Sequence, residues 1–272
     1  RQILKTVREE PTTSALRISQ NLSQDYGVSV TPQTVRNKLR EFNYYGRVPR
    51  KKPFISQVNR KRRLDFAKEH LTKPPAFWDT VIFSDESKFN VFGCDGRQKV
   101  WRKRNEAMKV KNLKATVKFG GGSVMVWGCM SAKGVGKLHL INGNMDQYMY
   151  INILRENLSE SAKKFGLEGT FVFQQDNDPK HTALRTQEWL LYNAPRRLKT
   201  PPQSPDLNPI EHLWDEINRR VRKRGIRNRE ELKKVIVEEW GKIPGEITSK
   251  LVGSMKARLL EVVRNKGGPT SF

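Results

Sequence analysis

Phe171-Val172-Phe173-Gln174-Gln175-Asp176 and Pro205-Asp206-Leu207-Asn208-Pro209-Ile210-Glu211 decide how this chain is read. The first is an apolar strand pattern ending in an acid, and the second is a polar turn that opens a helix with an acid in its first turn. A third acid, Asp85, closes the apolar run Val81-Ile82-Phe83-Ser84 far upstream. Period two puts Asp85 on the same side as Val81 and Phe83, where a carboxylate is costly unless something pairs with it. Strand ends and helix starts are where an α/β sheet assembles a site. A few carboxylates without histidine or cysteine suit Mg2+, which prefers oxygen ligands and keeps positions open for phosphate oxygens. Two such ions about 4 Å apart can activate an attacking oxygen and stabilise the leaving one.

The same residues allow a purely structural reading. Asn208 at the N-cap, Pro209 at N1 and Glu211 at N3 would make a capping box. The stripe Ile210, Leu213, Trp214, Ile217 and Val221 leaves Glu211 about 100° from its centre, at the rim of the buried face, which suits a cap or a pocket lip. Asp178 and Asp206 read as turn or cap residues, and Glu86 falls on the strand face opposite Asp85. His181 and His212 read as exposed helix positions rather than ligands.

Composition speaks to the partner. The 272 residues carry 52 Lys and Arg against 28 Asp and Glu, a formal charge of +24, with 36% apolar residues. That surplus favours a polyanion and salt-sensitive binding, and a ribosomal or chromatin protein would share it. Cys94 and Cys129 have no metal-ligand spacing and read as free thiols in a reducing compartment. No apolar run approaches a membrane span and no signal peptide is visible, so no membrane partner is expected. Arg1 in place of an initiator Met suggests a chain that begins inside a longer product. Gly120-Gly121-Gly122 lacks a following Gly-Lys-Ser/Thr, so it marks a bend into a buried strand rather than a P-loop.

Residues 1–45 predict three short helices in a helix-turn-helix pattern. The first covers Gln2 to Glu10, with Ile3, Leu4 and Val7 on one face. The second opens at Thr12 to Ser14 and carries Leu16, Ile18 and Leu22 before the break at Tyr26-Gly27. The third starts with Thr31 as N-cap and Pro32 at N1, with Val35 and Leu39 inward. Its outward residues Gln33, Thr34, Arg36, Asn37 and Arg40 are types that reach base edges and phosphates in a major groove. Residues 46–76 form a basic linker and helix. Arg47, Arg50, Lys51 and Lys52 can track a phosphate backbone, and Arg60-Lys61-Arg62-Arg63 leads into a helix. Up to Pro75 there are 17 Lys and Arg against 6 Asp and Glu. Either basic cluster also suits a nuclear import signal, so a nuclear location is expected. Residues 77–272 mix strands and helices, with a hairpin from Asn90 to Trp101, a long basic loop over residues 102–118 and a helical tail.

Ser84-Asp85-Glu86-Ser87-Lys88-Phe89, the stretch Gly120 to Gly128, Gln175-Asp176-Asn177-Asp178-Pro179-Lys180-His181-Thr182 and Ser204 to Glu211 together resemble the Tc-one/mariner superfamily of DNA transposases. The 34 residues between Asp176 and Glu211 resemble its Tc-one branch. The resemblance implies a ribonuclease H-like α/β domain with a mixed sheet, whose Asp85, Asp176 and Glu211 bind Mg2+ or Mn2+, two ions per site. It implies cutting of double-stranded DNA at transposon inverted repeats and joining of the freed 3′ ends at TA dinucleotides, in a homodimer that pairs the two ends. It further implies that the 102–118 loop clamps the partner subunit. The helix-turn-helix would be the second of the family's two, with the first absent. The rival reading is a transposase-derived DNA-binding regulator that no longer cuts. Three carboxylates facing a polyanion argue against it, because they would only weaken binding.

Overall fold

The structure is a computed structural model that describes residues 1–49, 52, 54–92, 105, 108–109 and 121–272. The expected hairpin and the basic 102–118 loop lie largely outside the described residues, as do Arg50, Lys51 and Cys94. The chain falls into two units, residues 1–52 and 53–272.

In the first unit, helices form where the cap chemistry starts them: α1 (Gln2–Glu9), α2 (Ala15–Tyr26) and α3 (Pro32–Glu41). The Ser14 and Thr31 hydroxyls accept the Arg17 and Thr34 backbone N–H groups, and Gly27 ends α2 at φ 65°. Ile18, Leu22 and Val35 form the core, closed by Ile3, Val7, Ala15, Val30 and Leu39. Leu16 is 55% exposed. Ala15, Ile18 and Leu22 are the residues that share the inward face of α2, and residue 16 lies about 100° round from residue 15.

The second unit opens with α4 (Gln57–Leu71) and α5 (Pro75–Asp79). The basic cluster is part of α4 rather than a lead into it, and Arg63 is fully buried. Five strands follow: β1 (Val81–Asn90), β2 (Ser123–Ser131), β3 (Gly134–Ile141), β4 (Val172–Gln174) and β5 (Arg197–Leu198). Their order in the sheet is β3-β2-β1-β4-β5. β2 runs antiparallel to β1 and β3, while β4 and β5 run parallel with β1. Period two divides β1 between two cores. Ile82 joins Trp127, Cys129 and Phe173 under α6 (Gln147–Lys164) and α8 (Leu184–Asn193). Val81, Phe83 and Phe89 join the other core, which takes in α9 (Ile210–Arg222), α10 (Arg229–Gly241), α11 (Gly245–Gly253) and α12 (Met255–Arg264). Between α6 and α8 the short α7 (Pro179–Thr182) is separate, because Ala183 takes extended angles. Residues 179–193 therefore form two helices rather than one. Among the described residues no helix is long and apolar enough to cross a membrane.

Candidate active site

Asp85 was expected at a strand end and lies inside β1. The polar run Glu86 to Asn90 continues the strand because β2 pairs with it residue by residue, from Asp85↔Gly128 to Asn90↔Ser123. The parallel neighbour β4 stops sooner, at Phe83↔Gln174. Asp85 thus sits just past the point where β1 loses one of its two neighbours. Asp176 follows the end of β4 closely, and Glu211 is the second residue of α9.

The three acids line one open cavity of about 330 Å³. Burial, then the charges of Glu211 and Glu86, push the Asp85 carboxyl well above the usual carboxylate range. Glu211 is raised by burial and by the charges of Asp215 and Asp176. The capping box does not form: α9 has no side-chain cap. Instead the Asn208 Nδ2 donates to the Ser84 carbonyl at 3.3 Å, across to the strand that carries Asp85. On the face of the sheet that carries Asp85, the Trp214 and Trp240 rings stack at 5.0 Å, close to Gly128. Gly128, opposite Asp85, leaves room for them, since a Cβ there would come within 2.7 Å of Trp214 and 2.9 Å of Trp240.

Asp176 belongs to a second network. His181, expected to be exposed, is buried, with Nδ1 2.5 Å from Asp176 Oδ1 and Nε2 3.2 Å from Glu86 Oε1. Carboxylates only accept, so the imidazole donates from both nitrogens and is a cation. Burial alone would lower its pKa, but the bonds to Asp176 and Glu86 outweigh that and push it up to about 9. Burial likewise works to raise Asp176, yet His181 and the Asp178 backbone N–H hold it below its ordinary value. Lys180 adds a second cation, 2.8 Å from Asp178 and 3.6 Å from Glu86. One local signal pointed to this arrangement. Asp178, which caps α7 as expected, starts a helix just after Asp176, and a side chain at N3 of such a helix can reach back past the cap.

Among the described residues, no three His, Cys, Asp or Glu side chains are gathered as an ion's ligand set. The donor chemistry nonetheless fits a hard divalent cation. Beside the three carboxylates, the cavity is lined by Gln174 and Asn208, whose side-chain oxygens are buried and accept no hydrogen bond. His212 accepts from Arg258 at 3.0 Å and lies outside this set, and Asp206 sits in the turn Pro205–Leu207, as expected, where Arg63 binds it.

In the N-terminal unit, Gln33, Thr34, Arg36, Asn37 and Arg40 are all exposed on α3, as expected. Gln33 ties two of them together: its Nε2 donates to Asn37 at 2.9 Å, and its Oε1 accepts from Arg36 at 3.1 Å. Arg47 lies over the Tyr45 ring at 5.7 Å.

Comparison with known proteins agrees with this architecture. Residues 1–72 match a family model described as transposase, and residues 80–233 match the DDE superfamily endonuclease model. The chain is 42% identical over 274 residues to the transposable element Tc1 transposase of Caenorhabditis elegans, covering 100% of this chain and 99% of that one. It is 40% identical over 272 residues to the Tcb1 transposase of Caenorhabditis briggsae, with the same coverage. The fold matches that of the mariner Mos1 transposase in a paired-end complex with Mg, at a TM-score of 0.83 and 19% identity, over 99% of this chain and 79% of that one. The chain belongs to the Tc-one/mariner family of cut-and-paste DNA transposases, with a ribonuclease H-like catalytic unit of the DDE superfamily.

Proposed function

We propose that Asp85, Asp176 and Glu211 hold the divalent ions, Mg2+ or Mn2+, two per site, with which this transposase cuts double-stranded DNA at the inverted repeats of its element. The freed 3′ ends are then joined to target DNA at TA dinucleotides. One observation carries the reading: acids from three separate elements line one cavity, and among the described residues neither Asp85 nor Glu211 has an ion pair of its own. Mutual repulsion of this kind is relieved by a cation. When bound, the ions supply Lewis acidity at the phosphoryl oxygens and lower the pKa of the attacking water or 3′-hydroxyl. The chain's own residues do the rest. His181 holds the Asp176 carboxylate, and Asn208 ties the start of α9 to β1.

The exposed face of α3 reads the repeat in a major groove, and Arg47, Arg50, Lys51 and Lys52 follow the phosphate backbone. Two chains pair the two element ends as a homodimer, and the enzyme works in the nucleus. The decisive experiment incubates the chain with labelled DNA carrying its own terminal repeat and Mg2+ or Mn2+, beside Asp176→Ala. Metal-dependent nicks that vanish in the variant are expected. Repeat binding without any cleavage would identify the non-cutting regulator instead.

A further inference from the structure

We propose that Arg63 and Arg258 are positioning residues for the Glu211 carboxylate, acting on the chain on either side of it. The inference rests on the reading of Glu211 as a catalytic acid. Arg63 is fully buried, and every one of its N–H donors is used. Its Nη1 and Nη2 grip Asp206 as a fork at 2.8 and 2.7 Å, and Nη1 also donates to the Gln203 carbonyl at 3.2 Å. The remaining donors go to the Gly267 and Gly268 carbonyls at 3.0 and 3.1 Å. Asp206 takes one more bond from the Thr270 N–H at 3.0 Å. Arg258, 1% exposed, donates to the Asp206 carbonyl at 2.7 Å and meets His212 at 3.0 Å, with the Phe272 ring 4.6 Å from its guanidinium. The turn before Glu211 and the residue just after it are thus held by two arginines, each backed by the C-terminal segment.

A buried ion pair is no more stabilising than a packed apolar pair, since desolvation offsets the attraction. What a saturated guanidinium does supply is a single geometry, because each bond fixes a direction. The turn so fixed lines the carboxylate cavity through Gln203, Ser204, Pro205 and Asn208. Gly267, at φ +81°, lies so close to the Arg60 carbonyl that a Cβ would overlap it, which seats the C-terminal segment on α4.

The test compares the full chain with Arg63→Lys, Phe272→Ala and Glu211→Ala. A lysine keeps the charge but not the fork, and Phe272→Ala removes the ring that lies over Arg258 and beside His212, so folding of one variant does not depend on the other. Three readouts are taken below the melting temperature of each protein: kcat and KM for cleavage of the labelled terminal repeat, and Mn2+ affinity by electron paramagnetic resonance. Expected are an unchanged KM, weaker Mn2+ binding and a kcat lowered by up to about 100-fold, the scale at which a misplacement of about 1 Å slows a positioned reaction. A lowered melting temperature with kcat and Mn2+ affinity at wild-type values in both variants overturns the proposal, because a merely structural role leaves those untouched. Cleavage by Glu211→Ala at the wild-type rate overturns the reading of Glu211 itself, on a separate protein.

Discussion

Asp85 and Glu86 are neighbours on one strand and live in opposite electrostatic worlds. On the α6 face, Glu86 shares His181 with Asp176 and lies near Lys180, so its charge is answered within the chain. On the α9 face, Asp85 meets the charge of Glu211, and both carboxyls are raised. The alternation of a β-strand is enough to separate a balanced acid from an unbalanced one. The difference shows that two neighbouring acids of equal charge are set apart by whether the chain supplies a partner: Glu86 has His181 and Lys180, and among the described residues Asp85 has no ion pair.

The largest effect should come from removing the unbalanced charge. Asp85→Asn is expected to lower metal-dependent cleavage by about 10³-fold or more, since removal of one preorganised electrostatic group costs about that much. In EDTA the same variant should melt above the wild type, and added Mg2+ should raise the melting temperature of the wild type alone. An Asp85→Asn protein that melts lower in EDTA would show that the acid is balanced after all.

The balanced acids should behave in the opposite way. Asp206→Asn leaves Arg63 buried without its counter-charge, an expected loss of about 3 to 5 kcal/mol in urea unfolding at neutral pH. Burial works to raise the Asp206 carboxyl, but Arg63 and the Thr270 N–H hold it below the ordinary value. Its contribution is therefore present above the unfolded carboxyl pKa of about 3.9 and is lost as pH falls through the lower folded value. The wild type should lose that stability on acidification, and Asp206→Asn should lack this limb of the profile. His181→Ala, which strips the shared partner from Glu86 and Asp176, should cost about 2 to 3 kcal/mol. Smallest is Gly128→Ala, at about 1 to 3 kcal/mol from overpacking against the tryptophans. Calorimetry of the four proteins in EDTA would order these effects.

What was legible in the sequence was local. The caps at Thr31 and Asp178 are short-range chemistry, and the buried stripe from Ile210 to Val221 is a helix period written out in full. Asp85 and Asp176 stood out as acids closing apolar runs, and Glu211 as an acid in the first turn of a helix. The length of β1 was hidden, because Glu86, Ser87 and Lys88 are polar and only their pairing with β2 makes them strand. The burial of His181 depends on Glu86, 95 residues away, and that of Arg63 on Asp206, 143 residues away. No window along the chain contains both partners, so each half reads as an ordinary surface residue.

Gly128 also bears on how β1 and β2 find their alignment. A slip of one residue between them would turn every β1 side chain to the other face, exchanging Asp85 with Glu86. Such a protein would keep its sheet and yet hold its acids on the wrong side. With β1 held in place, a slip of β2 by one residue would instead turn Trp127 or Cys129 toward the stacked Trp214 and Trp240, which leave space only for a residue without a Cβ. The glycine therefore opposes one of the two misalignments, that of β2, by collision with the two tryptophans.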